Sequence, residues 1–256
     1  MKLNNIFILI TCFVSVVIFS SCSSSGSKEI NTDDPDKAYE IAKRIYDRGD
    51  YTGAIDAFSF LLKISSGTEH ADQIKYYLGE AYFHEKDYLN AIYEYSDLLK
   101  NNVTSPLYPD AMYKLALSYY SDRPKYPLDQ EYTEYAIKYF NTYRNVYPNE
   151  KYSEDAKIKL NDLIDQLALK NFMVAKQYMI LEDYKSAAIY YQSVCEDYLD
   201  SKYAEEAFVL RAEALINLKK YSEANDVLAW FFKTYKNSKF KDKATNLKNS
   251  IPKQSK

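Results

Sequence analysis

One phrase returns along this chain at a spacing that no isolated helix or sheet imposes. Asp50-Tyr51-Thr52-Gly53-Ala54-Ile55 recurs as Asp87-Tyr88-Leu89-Asn90-Ala91-Ile92 and as Asp183-Tyr184-Lys185-Ser186-Ala187-Ala188. Weaker copies are Tyr132-Thr133-Glu134-Tyr135-Ala136-Ile137 and Lys220-Tyr221-Ser222-Glu223-Ala224-Asn225. Twelve positions before the alanine stands a second small residue, Ala42, Gly79, Ala175 or Ala212. In the third copy Ala116 precedes Ala136 by twenty, which marks an eight-residue insertion. Four positions after the alanine comes a bulky residue, Phe58, Tyr95, Phe140, Tyr191 or Leu228.

Small residues belong where two antiparallel helices approach most closely, and bulky ones fill the rest of the seam. Anchors of this kind at fixed offsets are the signature of tetratricopeptide helix-turn-helix units. Leu78-Gly79-Glu80-Ala81-Tyr82 carries its L-G-x-x-Y element outright. One such hairpin cannot bury its apolar face, so hairpins stack into a superhelix with a concave side. The expected fold is all-α, a tetratricopeptide-like α-solenoid of about five repeats. Units start at 35, 72 and 109, and again near 168 and 205, an even step of 37 within each block. Between the blocks, Ser153 to about Leu181 has no Gly or Pro. Ile158, Leu160, Leu163, Ile164 and Leu167 keep helical spacing there, behind a Ser153 cap. One long helix is therefore expected to link repeats three and four. The insertion from Ser121 to Glu131 holds Pro124 and Pro127 and forbids a continuous helix. It reads either as a tolerated hairpin-tip loop or as a contact loop for a partner. The chain has 5 Gly and 7 Pro, against roughly 18 and 13 at average usage. That shortage fits hairpins needing few left-handed backbone positions.

The amino terminus belongs to a different device. Lys2 precedes a low-polarity run from Ile6 to Phe19, which as helix rises about 21 Å, short of the ~30 Å hydrocarbon core. It reads as a secretory signal. Small residues Ser20-Ser21 lead directly into Cys22, and this resembles the lipobox of bacterial lipoproteins, with Phe19 in place of the usual leucine. The resemblance implies lipidation of Cys22, followed by a Ser/Gly tether. Cys12 then leaves with the signal, and Cys195 remains as a small buried hydrophobe rather than a nucleophile. The chain divides into a signal (1–21), a lipidated tether (22–34), front-half repeats one to three (35–150), the linking helix with repeats four and five (151–240) and a basic tail (241–256).

Five such units behind Cys22 carry three irregular features: the Asp122-Arg123-Pro124 stretch inserted in the third unit, a Tyr147-Pro148-Asn149-Glu150-Lys151-Tyr152 turn, and a long helix between units three and four. Together these resemble the BamD family, lipoprotein subunits of the bacterial β-barrel assembly machinery, over residues 32 to 245. The resemblance implies a lipid-anchored body on the periplasmic face of the outer membrane. It also implies a back half that docks the barrel-forming subunit, other machinery components as partners, and a front-half groove that engages unfolded outer-membrane protein substrates. No individual contact residue is carried over. The tyrosine excess and the basic tail depart from the family pattern.

Positions 5 and 12 of each first helix are two turns apart and face the concave side. In the front half they are Tyr39 and Tyr46, Tyr76 and Phe83, Tyr113 and Tyr120. This double ladder of rings suits an extended peptide rich in aromatic and aliphatic side chains, which unfolded barrel strands are. The same rings would equally serve to pack one repeat on the next.

No enzyme, cofactor or metal site is expected. His70 and His84 are the two histidines; His70 reads as an inter-repeat turn residue and His84 as a wet groove edge. No nucleophile or acid–base pair stands out from helix-surface charge. Residues 233–256 hold eight lysines against Asp242, while 22–232 hold 24 basic and 35 acidic residues. An acidic body disfavours nucleic acid, and the basic end reads first as a solvated terminus, with contact to anionic head groups or to an acidic partner domain as the alternatives. Two other readings stay open: another scaffold lipoprotein, such as a pilotin or cell-envelope factor, and a surface glycan-binding lipoprotein. The latter would favour Trp platforms, whereas Trp230 is expected at a second-helix core position.

Overall fold

The computed structural model describes residues 30–64 and 70–252. Cys12, Cys22, the signal and most of the tether lie outside the described residues. Eleven helices and no strand occur among the described residues. They are α1 (Pro35–Asp47), α2 (Tyr51–Ile64), α3 (Ala71–His84), α4 (Tyr88–Asn101), α5 (Tyr108–Asp122), α6 (Glu131–Val146), α7 (Ser153–Ile180), α8 (Tyr184–Asp197), α9 (Ala204–Asn217), α10 (Tyr221–Thr234) and α11 (Lys241–Ser250).

The repeated phrase is a helix start. Asp87 caps α4 by accepting from the Asn90 amide at 3.3 Å, and Asp183 caps α8 from Ser186 at 3.1 Å. Asp50 accepts from the Gly53 amide at 2.9 Å in the same way. A side-chain cap of this kind stabilises a helix by about 1 kcal/mol. Just before it, the chain leaves the first helix through one left-handed residue: Gly49, Lys86, Glu182 or Lys219, with φ between 58° and 82°. The amide of the next residue then reaches back five positions, Asp50 to Ile45, Asp87 to Tyr82, Asp183 to Tyr178 and Lys220 to Leu215. This closes a Schellman motif. Glycine is thus scarce although left-handed positions are not: three of the four turns hold a Lys or Glu there.

The seam follows the anchors. Ala42, Ala54, Ala91, Ala116, Ala136, Ala175, Ala187, Ala212 and Ala224 are fully buried, as are Phe58, Tyr95, Phe140 and Leu228. At Gly79 an added Cβ would lie 2.8 Å from the Tyr95 ring, so the small residue is a condition of that ring's place. Beyond neighbours in chain order, the further contacts run between first helices: α1 with α3, α5 with α7, α7 with α9 and α9 with α11. Closer spacing on that side makes it the concave one.

Helix α7 joins the halves as one 28-residue element. Ala156, Leu160 and Leu163 enter the core of the third unit, and Ala168, Phe172 and Ala175 enter the back-half core. Ile158, expected on that stripe, is exposed at 60%. Ser153 is the first helical residue rather than the cap, and its hydroxyl donates to the Tyr147 carbonyl. The expected solvated terminus is instead partly a packed helix. In α11 Ala244 is buried, and Leu247 and Ile251 lie against the back-half core. The spacing of these three residues is helical and puts every apolar side chain of that segment on one face.

Candidate functional site

The six rings of the ladder divide by depth. At position 5, Tyr39, Tyr76 and Tyr113 are 8%, 7% and 5% exposed. Tyr39 stacks on His70 with centroids 4.5 Å apart, Tyr76 meets Tyr77 and Tyr95 edge-on, and Tyr113 stacks on Tyr152 at 4.0 Å. The Tyr113 hydroxyl donates to Asp155 at the start of α7. Burial pushes all three phenols above their ordinary range, so they remain protonated donors. These three are therefore seam rings, placed there because position 5 meets the second helix of its own unit and the first helix of the next.

At position 12, Tyr46, Phe83 and Tyr120 are half-buried, and each carries a cation. Lys43 Nζ lies 5.7 Å from the Tyr46 centroid, Lys114 Nζ 5.6 Å from Phe83, and the Arg123 guanidinium 3.7 Å from Tyr120. Each cation is in turn held by a carboxylate: Lys43 by Asp47, Lys114 by Glu80 at 2.7 Å, Arg123 by Asp162 at 2.6 Å. The concave side of the front half is a row of ring, cation and carboxylate, repeated three times. Such a row offers apolar edges to side chains and charged donors and acceptors to a peptide backbone. A cation three residues from a ring is a local pattern, as with Lys43 before Tyr46 and Arg123 after Tyr120. Lys114 reaches Phe83 across repeats, and no local pattern announces it.

The inserted loop is tied down at its root. Gln166 of α7 donates to the Pro124 carbonyl at 2.8 Å, to Gln130 at 2.6 Å and to Thr133 at 3.2 Å, and accepts from Arg123 Nε at 3.1 Å. Gln130 and Thr133 are buried, whereas Leu128 at the tip is exposed. The root thus locks the third unit to the linking helix, and only the tip is open to a partner.

Comparison with known families matches residues 31–229 to YfiO, outer membrane lipoprotein. The chain belongs to that family. Among curated relatives, the outer membrane protein assembly factor BamD of Caulobacter vibrioides is 25% identical over 178 residues, 70% of this chain and 58% of that protein. The BamD of Neisseria meningitidis serogroup B is 25% identical over 239 residues, covering 86% of this chain and 87% of that one. Among solved structures, the TPR2AB domain of yeast Sti1 in its pHSP90 complex aligns with 85% of this chain and 82% of its own, at 14% identity and a TM-score of 0.42.

Within this family member a second concavity, of about 570 Å³, lies away from the ladder between α8, α9 and α10. Phe208 and Trp230 stack there at 4.1 Å. Trp230 is 37% exposed, not a core residue: Ala224, Val227, Leu228 and Phe231 take the buried face of α10, and Trp230 faces the concavity instead. Cys195 in the same wall is buried, and burial pushes its thiol up to about 12. It is inert at neutral pH. His70 bonds Gln73 and Asp36, and His84 stacks on Tyr51 at 4.2 Å. No cluster of three metal-ligating side chains, and no helix long and apolar enough to cross a membrane, occurs among the described residues.

Proposed function

We propose that this chain is a non-enzymatic lipoprotein scaffold of outer-membrane β-barrel assembly. Lipid on Cys22 holds the body at the periplasmic face of the outer membrane. The back half docks the barrel-forming subunit and its companions, and the front-half concave row receives extended segments of unfolded outer-membrane proteins. The observation that carries this reading is the family match across 31–229, to which relatives described as outer membrane protein assembly factors add support.

The ladder residues enter with two roles. Tyr46, Phe83 and Tyr120 are the contact rings, because they keep an open edge. Tyr39, Tyr76 and Tyr113 set the spacing of the helices that present them. An alternating apolar strand would place its side chains between the contact rings, while Lys114 and Arg123 meet its carbonyls.

Crosslinking in intact membranes followed by pull-down tests the assignment. A large barrel protein is expected as the principal crosslinked partner; a partner set without one would sink it. Cys22→Ala is expected to move the protein out of the membrane fraction. Tyr46→Ala combined with Phe83→Ala is expected to weaken binding of barrel-strand peptides about tenfold or more, the loss of roughly two modest contacts, at unchanged helicity. Equal binding would assign these rings to packing alone.

A further inference from the structure

A stacked-repeat protein needs a polar face on its last helix, because no further unit covers it. Polarity of either sign meets that need. The amino-terminal end does so with mixed charge: Asp36, Lys37, Glu40, Lys43, Arg44 and Asp47 all lie on α1. The carboxy-terminal end does not. Between 233 and 252 the charged residues are Lys233, Lys236, Lys239, Lys241, Lys243 and Lys248 against Asp242 alone, at the end of a body that is otherwise acidic. A solubility cap does not account for one sign.

The lysines are also left available. Lys243 pairs with Glu213 at 2.7 Å. Lys239 and Lys248 lie over the Phe240 and Phe232 rings, at 4.9 and 5.6 Å from their centroids. Lys233, Lys236 and Lys241 enter no ion pair among the described residues, and all three are exposed. The neighbouring carboxylates are Asp242, Glu213 and Glu205, the last beside Lys236 in a shallow depression. The charge is spread over the end of α10, the turn after it and α11. The apolar side chains of that helix, Ala244 and Leu247, are already spent on the core. What remains outward is a broad array of point charges, and the depression beside Lys236 carries the carboxylate of Glu205, which repels an acidic side chain. An acidic peptide is recognised by a groove; a planar anionic surface needs only charge density.

We propose that the carboxy-terminal pole, residues 233–252, docks on anionic phospholipid headgroups. A lipid on Cys22 tethers the body through a Ser/Gly-rich segment without orienting it, and a polybasic patch drawn to an anionic leaflet supplies the orientation. With lipid on Cys22 at one end and this pole at the other, the solenoid would lie along the membrane with the concave row held at a fixed angle. That orientation rests on the lipoprotein reading above; the binding itself does not.

The test uses the chain from Ser23 onward, which contains all the described fold and no acyl group, so its outcome is independent of lipidation. Flotation compares vesicles of phosphatidylcholine alone with vesicles containing phosphatidylglycerol at about three parts in ten. Recovery is expected with the anionic vesicles only, falling steeply as salt is added. Neutralising Lys236→Gln, Lys239→Gln and Lys241→Gln together is expected to weaken binding roughly 100-fold, at about 1 kcal/mol per lysine, while the three arginine replacements retain it. The wild-type salt titration decides the matter if the glutamine variant loses helicity. No binding to anionic vesicles, salt-insensitive binding, or undiminished binding by a folded glutamine variant would overturn the proposal. Tighter capture of soluble polyglutamate than of vesicles at equal ionic strength would do so as well, and would make the pole a site for an acidic polypeptide.

Discussion

The halves that share α7 fill equivalent seam positions with different chemistry. Of the 28 tyrosines, 20 lie between Tyr39 and Tyr152 and 8 after it. The front-half core falls into three clusters laced by hydroxyl–carboxylate contacts, Tyr95 to Glu80 and Tyr113 to Asp155 among them. The back half is one continuous cluster from Ala168 to Ala244, mostly Ala, Val, Leu and Phe, with Cys195 and a single fully enclosed tyrosine, Tyr191. One backbone plan tolerates both because the small anchors, not the fillers, set helix separation. A seam filled with tyrosine buries oxygens that cost free energy unless paired; Tyr95 and Tyr113 are paired, whereas the buried Tyr143 hydroxyl has no partner among the described residues. The front half therefore depends on specific pairs, and the back half on volume.

The largest effect belongs to volume. Phe231→Ala removes a fully buried ring and is expected to cost about 3–5 kcal/mol. Since stacked repeats couple mainly to their neighbours, lost amide protection should centre on α8 to α11, with α3 and α4 retaining theirs. Uniform loss along the chain would show that α7 transmits the defect and that the halves are one unit.

A carboxylate gives the next effect, in the front half alone. Glu94 is 9% exposed on α4. Burial, reinforced by Asp97 and opposed by Lys75, raises its pKa from 4.5 to about 7. The corresponding positions, three residues after the alanine anchor, are Tyr190 and Val227 in the back half. A carboxyl whose pKa is raised on folding gains a proton in the folded state. Its environment therefore costs nothing at pH 4, and stability falls as pH rises from 4.5 through about 7. At 1.36 kcal/mol per pH unit the full loss is roughly 3 kcal/mol. Glu94→Gln is expected to flatten that slope and to stabilise the chain at pH 8 by up to this amount. Urea midpoints measured between pH 4 and 8 check it; parallel profiles for both proteins would place the titration elsewhere.

A matched pair isolates the hydroxyl. Tyr95 and Tyr191 stand at the same repeat position, four after the anchor, and are 0% and 1% exposed. Tyr95 donates to buried Glu80, which also receives Lys114, whereas Tyr191 makes no hydrogen bond among the described residues. Tyr95→Phe is expected to cost about 2 kcal/mol, the penalty of leaving a buried charged acceptor short of a donor. Tyr191→Phe should change stability by less than about 0.5 kcal/mol. Equal costs would remove the distinction between the halves.

Residue patterns carried the architecture further than the site. Ala42 with Ala54 and Gly79 with Ala91 placed the seams, and the uninterrupted run from Ser153 placed α7, because anchor spacing and helix breakers are local properties. Position 5 and position 12 looked alike as sequence, all aromatic. Only packing separates Tyr76, closed in by Tyr77 and Tyr95, from Phe83, which keeps an open edge. Glu80 and Lys114 are 34 residues apart, and their pairing depends on how unit three sits on unit two. Trp230, expected in the core, lines an open concavity with Phe208 because Ala224, Val227, Leu228 and Phe231 take the buried face of α10.

The smallest effect asks whether the halves share backbone geometry as fully as they share anchors. Lys86 in the front half and Lys219 in the back half have φ of 63° and 61°, where Gly49 does the same task in the first unit. A left-handed conformation costs a non-glycine residue about 1–2 kcal/mol, and glycine returns about 0.5–1 kcal/mol of that through its freer unfolded chain. Lys86→Gly and Lys219→Gly are each expected to stabilise by about 0.5 kcal/mol, seen as a higher urea midpoint at unchanged slope. Because the turn is closed by backbone bonds alone, the gain should not depend on whether the seam beside it is tyrosine or alanine. A gain in one half and a loss in the other would mean that the fillers, and not only the anchors, shape the turn.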